Sequence, residues 1–196
     1  IQGRGFVTTQ SIKKLKGFLR YVCLDDDGWY LPGEKKTYKL SELDEEADYD
    51  KVFYKDRWMN EDNLEQHLIV TYSIRYRSYQ RNIRERQVER AKNYVNSPGS
   101  LGRKKPNDSK RFVEQDHCTS DGEVADKVIT SLNQTQIDEE AKYDGLYAVC
   151  TNLEYSVSDI IRINQKRWEI EECFRIMKTE FKARPMYLSR KDRITA

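Results

Sequence analysis

Residues 146–150 read Leu-Tyr-Ala-Val-Cys, a continuous apolar run behind Asp144-Gly145, which predicts a strand covered on both faces. Beyond it the period becomes helical. Ile163, Ile170, Phe174, Met177 and Phe181 are spaced 7, 4, 3 and 4 apart, one stripe expected to pack on a sheet. Ser156 and Asp159 suit an N-terminal capping pair, and Pro185 should end this single long helix near Arg184. Arg167, Glu171, Arg175 and Lys178, spaced 4, 4 and 3, form a second stripe beside the first.

Upstream the signals are shorter. Gly5 to Thr9 reads as a strand, and Ser11 is placed to cap a helix over 11–20 with Ile12, Leu15, Phe18 and Leu19 on one face. Residues 21–31 look like a hairpin turning at Asp27-Gly28, and 51–58 and 67–72 are strand candidates rich in Val, Ile, Tyr and Phe. Over 76–95, Tyr76, Tyr79, Ile83, Ala91 and Tyr94 recur at helical spacing among many arginines. The Ser-Pro-Gly-Ser run at 97–100 ends that helix, and 103–108 continues as a basic loop.

Composition narrows the class. The 196 residues suit one domain, or one domain with a large insertion. Charged residues make up 35% against 37% apolar, lean for a globule, yet 13 Tyr, 6 Phe and 3 Trp argue against wholesale disorder. No run approaches the ~18 consecutive apolar residues of a membrane helix, and the first residues lack a signal-peptide pattern, so a soluble chain is expected. The start also lacks Met, which suggests a piece of a longer protein.

The net charge of +2 conceals segregation: residues 25–65 sum to −8, 74–111 to +9 and 162–193 to +5. Either a polyanion meets the basic segments, or acidic and basic segments pair with each other. The four cysteines contain no C-x-x-C pair and the two histidines no ligand spacing, so a zinc ribbon is disfavoured and core thiols in a reducing compartment are expected. A Ser-His or Cys-His catalytic pair has little support. By spacing alone, the stripe around Glu171 is either an i,i+4 salt-bridge ladder or a carboxylate set among cations for phosphate or metal chemistry.

The segment 167–178, Arg-Trp-Glu-Ile-Glu-Glu-Cys-Phe-Arg-Ile-Met-Lys, resembles the C-terminal signature of bacterial insertion-sequence DDE transposases, Tyr-x2-Arg-x3-Glu-x6-Lys on a helix after a buried strand. Arg167, Glu171 and Lys178 match its last three members, and the likeness extends over about 143–194. The signature Tyr falls at position 164, where this chain has Asn164. Residues 5–16 are more weakly similar to the strand and helix after the family's second catalytic Asp, so the first two aspartates are expected to lie upstream.

The resemblance implies an α+β (mixed α/β) chain: the C-terminal part of an RNase H-like fold interrupted by a large β-rich insertion with one basic helix. Its parts would be partial core over 1–24, insertion over 25–142 and core over 143–196. It implies cut-and-paste DNA transposition with two Mg2+ (or Mn2+) ions held by three carboxylates. Glu171 would be the catalytic third acid and metal ligand, with Arg167 and Lys178 on phosphates of double-stranded DNA. Arg175 joins them from geometry, and Arg81, Arg84 and Arg86 of the insertion are expected at the DNA backbone with the 103–111 loop. Trp58 and Trp168 are packing residues or base-stacking ones. A homodimer on DNA, in the cytoplasm and at the nucleoid, completes the expectation. With one carboxylate, residues 1–196 alone should not cut DNA, and the alternative is a non-catalytic DNA-binding or self-association module.

Overall fold

The computed structural model describes residues 5–61, 63–100, 107–118 and 127–181. Eight strands and five α-helices run in the order β1 (Val7–Gln10), α1 (Gly17–Leu24), β2 (Trp29–Tyr30), β3 (Thr37–Tyr38), β4 (Phe53–Glu61), β5 (Leu64–Tyr72), α2 (Ile74–Asn96), β6 (Val113–Cys118), β7 (Lys127–Leu132), α3 (Gln134–Ala141), β8 (Leu146–Thr151), α4 (Val157–Gln165) and α5 (Arg167–Thr179). The α+β class stands. Six strands form one antiparallel sheet in the order β1-β8-β5-β4-β2-β3, and β6-β7 pair separately. The expected insertion is β-rich and carries the basic helix α2, but β5 pairs with β8 from His67–Thr151 to Tyr72–Leu146, so both belong to one sheet.

The period-2 alternation of β5 and β8 divides the core. On one face Leu68, Val70, Tyr72, Leu146, Ala148 and Cys150 pack with Trp29, Phe53, Ile12 and Cys23. On the other, Ile69 and Val149 meet Ile160 of α4, with Val7, Tyr147, Leu153, Val157 and Ile161 around them. Strand β8 is therefore covered on both faces, as its unbroken apolar run requires. A third cluster, Ala91, Phe112 and Val113, holds α2 against the β6-β7 ribbon. Helix α2 starts two residues earlier than its apolar spacing suggests, because the Ser73 hydroxyl accepts from the Tyr76 amide.

Four local expectations are corrected. No α-helix runs over 11–20: a 3-10 turn at Ile12–Lys14 ends at Leu15, and α1 begins at Gly17. Ile12 and Leu15 are buried but Phe18 is exposed, because the break turns Phe18 off the shared stripe. Residues 21–24 close α1, so β2 pairs with β3 and not with them, although the turn does occur where Gly28 takes φ +80°. Finally, the long C-terminal helix is broken at Lys166, whose amide bonds to the carbonyls of Arg162 and Asn164. Helix α4 is anchored by fully buried Ile160, whereas no described side chain of α5 is buried. The stripe Ile163, Ile170, Phe174, Met177 and Phe181 is exposed and does not pack on the sheet. The expected end near Arg184 lies outside the described residues.

Core thiols are found at Cys23 and Cys150, and burial pushes the Cys23 thiol up to about 11, an unreactive form. Cys173 is exposed, contrary to expectation, because α5 stands clear of the core.

Candidate functional site

Helix α5 meets the sheet at one polar point. Arg167 Nη1 donates to Thr9 Oγ1 of the edge strand β1 at 3.0 Å, and Thr9 shares a 2.8 Å hydrogen bond with the Tyr147 hydroxyl of β8. Thr9 and Tyr147 both lie on the face that α4 covers, beside Val149. Arg167 Nε also stands 3.5 Å from Glu171 Oε1, one turn along. The chain Tyr147–Thr9–Arg167 thus sets where α5 departs and the side on which Glu171 stands. Thr9→Val is expected to speed amide exchange over 167–171 about fivefold, the effect of one hydrogen bond of ~1 kcal/mol. Hydrogen–deuterium exchange checks this, with exchange in β8 unchanged.

Of the four-residue stripe, only Arg167 and Glu171 come together. Arg175 turns to Glu172, with Nε to Oε2 at 2.8 Å and Nη2 to Oε1, which raises the guanidinium above its ordinary value. Lys178 is exposed, with no ion pair among the described residues. The Glu171 side chain is 70% exposed. Trp168 has no described side chain. Asn164, at the signature Tyr position, lines a cavity of about 300 Å³ with Ile161, Tyr76, Tyr147 and Val149.

The arginines of α2 divide into two groups. Arg84, expected at the DNA backbone, instead clasps Asp144 with both nitrogens, Nη1 to Oδ1 at 2.6 Å and Nη2 to Oδ2. Both side chains are largely buried, and this hydrogen bonding holds Arg84 above its ordinary pKa. Arg77 bonds to the Tyr72 hydroxyl and Glu45, and Arg75 stands 3.5 Å from Asp50. Arg111 is likewise engaged, by Glu140 at 2.9 Å, Gln87 and the Asp108 carbonyl. Arg81 reaches Asp144 only at 3.9 Å and stays half-exposed; Arg86 and Arg90 are exposed without an ion pair among the described residues. Acidic and basic segments therefore pair at the N-terminal end of α2, leaving its middle cationic. Residues 103–106 lie outside the described ones.

Trp58 is not a core residue: it is 44% exposed and stacks on His67. Sequence reasoning missed Thr9, Tyr147 and Asp144. Asp144 was visible as part of Asp144-Gly145, but nothing local marked its partner 60 residues away.

Residues 35–196 match the family model described as the transposase DDE domain. The chain belongs to that family. No curated protein and no solved structure gives a significant match. A transposase DDE domain acts in DNA transposition, its substrate is DNA, and the family uses divalent metal ions in general. Among the described residues, however, no group of three His, Cys, Asp or Glu side chains is placed to hold an ion. Glu171 supplies a single exposed carboxylate, which does not by itself fit a two-metal site. No helix among the described residues is long and apolar enough to cross a membrane.

Proposed function

We propose that this transposase DDE domain is the Glu171-bearing portion of an insertion-sequence transposase. Glu171 is its third metal-binding carboxylate, for Mg2+ or Mn2+, and Arg167 and Lys178 hold phosphates of the transposon end. The observation that carries this reading is Arg167, hydrogen-bonded to the edge of the sheet and facing Glu171, with Lys178 unpaired among the described residues two turns further along an exposed helix. Helix α2 adds a backbone-contacting surface through Arg81 and Arg86, whereas Arg84 and Arg175 serve acidic partners within the chain. Such contacts position double-stranded DNA without reading its sequence.

Changing Arg81 and Arg86 together to Gln is expected to weaken binding to duplex DNA about tenfold at low salt. It should also lower the slope of log K against log salt by about 2, close to 0.9 per lost phosphate contact. Fluorescence anisotropy over a salt series checks both, and unchanged affinity and slope remove the DNA role of α2. Because the signature places a single metal-binding carboxylate, Glu171, on α5 and no group of three acidic, His or Cys side chains among the described residues is set to hold an ion, the 196-residue chain is expected not to nick DNA. Metal-dependent nicking by the purified chain, abolished in Glu171→Gln, would overturn that expectation.

A non-catalytic self-association reading is favoured by one observation, the exposed apolar stripe Ile170, Phe174, Met177 and Phe181. It places a homodimer contact on α5. Sedimentation equilibrium tests it: a dimer converted to monomer by Phe174→Glu supports the reading, and a monomeric parent removes it.

A further inference from the structure

Strands β4 and β5 place Trp58 directly opposite His67, and their rings stack in parallel, 4.8 Å between centroids and 5° apart. The stack occupies one face of the indole, so its 44% exposure falls on the other face and the edges. His67 is only 5% exposed, and its Nε2 lies 2.7 Å from Asp56 Oδ2. An ionised carboxylate only accepts, so Nε2 is the donor to Asp56, and in the neutral imidazole Nδ1 is then an acceptor. That Nδ1 is buried and has no hydrogen-bond partner.

The same two side chains line a cleft of about 470 Å³ with Glu65, Glu154 and Tyr155. Glu65 and Glu154 make no ion pair with a described residue, and Tyr155 is 57% exposed. The polar lining is thus two carboxylates and a buried imidazole whose Nδ1 has no partner, flanked by two aromatic rings. A cationic N–H donor answers both features at once: charge to the carboxylates and ring faces to the cation. A phosphate would meet two like charges instead.

We infer that this cleft binds an organic cation, a guanidinium or alkylammonium group, over the outer face of Trp58 and between Glu65 and Glu154. The group comes either from a free amine or from an arginine side chain of a polypeptide. None of its lining residues belongs to the DNA surface proposed above, and it is opposite to that surface in sign.

The experiment is a titration of the 196-residue chain followed through its indole N–H resonances, with that of Trp58 identified by its loss in Trp58→Leu. Agmatine is the probe in one arm, and a Gly-Ser peptide containing one arginine in the other. Saturable movement of the Trp58 resonance is expected in both arms, and the tighter binder identifies the source. The double variant Glu65→Gln/Glu154→Gln keeps the shape of the cleft and should bind about tenfold more weakly, while an unmoved Trp29 resonance reports the intact core. The inference is overturned if neither probe gives a saturable shift, or if the double variant binds as tightly as the parent. It is equally overturned if a deoxynucleoside monophosphate moves Trp58 where the cations do not, since the cleft would then take a base.

Discussion

Asp144→Ala is expected to destabilise the chain by about 3–5 kcal/mol, the range for a buried charge that loses its partner. The Arg84 side chain is only 15% exposed and would remain charged against the turn before β8 without its hydrogen-bonded partner, left with only the weaker pull of Glu140 and Glu85. That turn is also held to α2 by the Gly145 amide, which donates to Gln80 Oε1 at 2.7 Å, and by the Ser73 amide, which donates to the Gly145 carbonyl at 3.1 Å. Losing Asp144 therefore loosens the joint between the basic helix and the central strand. Arg84→Lys keeps the charge but not the two-pronged geometry, and should cost less. Urea denaturation of the three proteins gives the ranking, and a loss below ~1 kcal/mol for Asp144→Ala would show that water reaches the pair and screens it.

The neighbouring residue carries a second large effect. Gly145 takes φ +82°, and a Cβ there would stand 2.7 Å from Tyr72 Cε2 and 2.9 Å from Arg77 Cβ. Tyr72 is a core residue and Arg77 Cβ belongs to α2, so neither yields as a free side-chain end would. Left-handed strain of about 1–3 kcal/mol adds to this crowding, and Gly145→Ala should lose about 3 kcal/mol in thermal or urea unfolding. Gly28 supplies the control. Its φ is +80°, but the nearest atom to a new Cβ is Lys55 Cε at 3.9 Å, an ordinary van der Waals contact, so Gly28→Asn should cost no more than ~1 kcal/mol. Equal losses at the two glycines would mean that conformation, not crowding, sets the penalty at Gly145.

The elements with a strong period were legible. The apolar run of β8, the β-branched and aromatic residues of β5 and the helical spacing of the arginine-rich α2 all depend on residues a few positions apart. The family was legible through the resemblance of residues 167–178 to a known signature, which Arg167, Glu171 and Lys178 match, whereas their spacing alone left a salt-bridge ladder open as well. The break at Lys166 was not legible, because the apolar stripe runs through it: Ile160 and Ile170 have similar patterns, but only one meets Ile69 and Val149. Nor did the arginine count of α2 reveal which side chains are engaged. Arg81, Arg84 and Arg86 look alike in sequence, and they differ because the chain brings Asp144 back to be clasped by Arg84, only approached by Arg81 and out of reach of Arg86.

What the sequence determined by itself is the strongly patterned part of the inventory: the strands around 53–58 and 67–72, the helix α2, the buried identity of β8, and the family signature on α5. Tertiary structure alone decided the partners. Arg167 finds Thr9 across 158 residues and Arg84 finds Asp144 across 60, and each contact exists only after the six-stranded sheet has closed. Local periodicity records which face of an element is apolar. It carries no record of what the folded chain will set against that face, so pairing, burial and the standing of Glu171 were left to the fold.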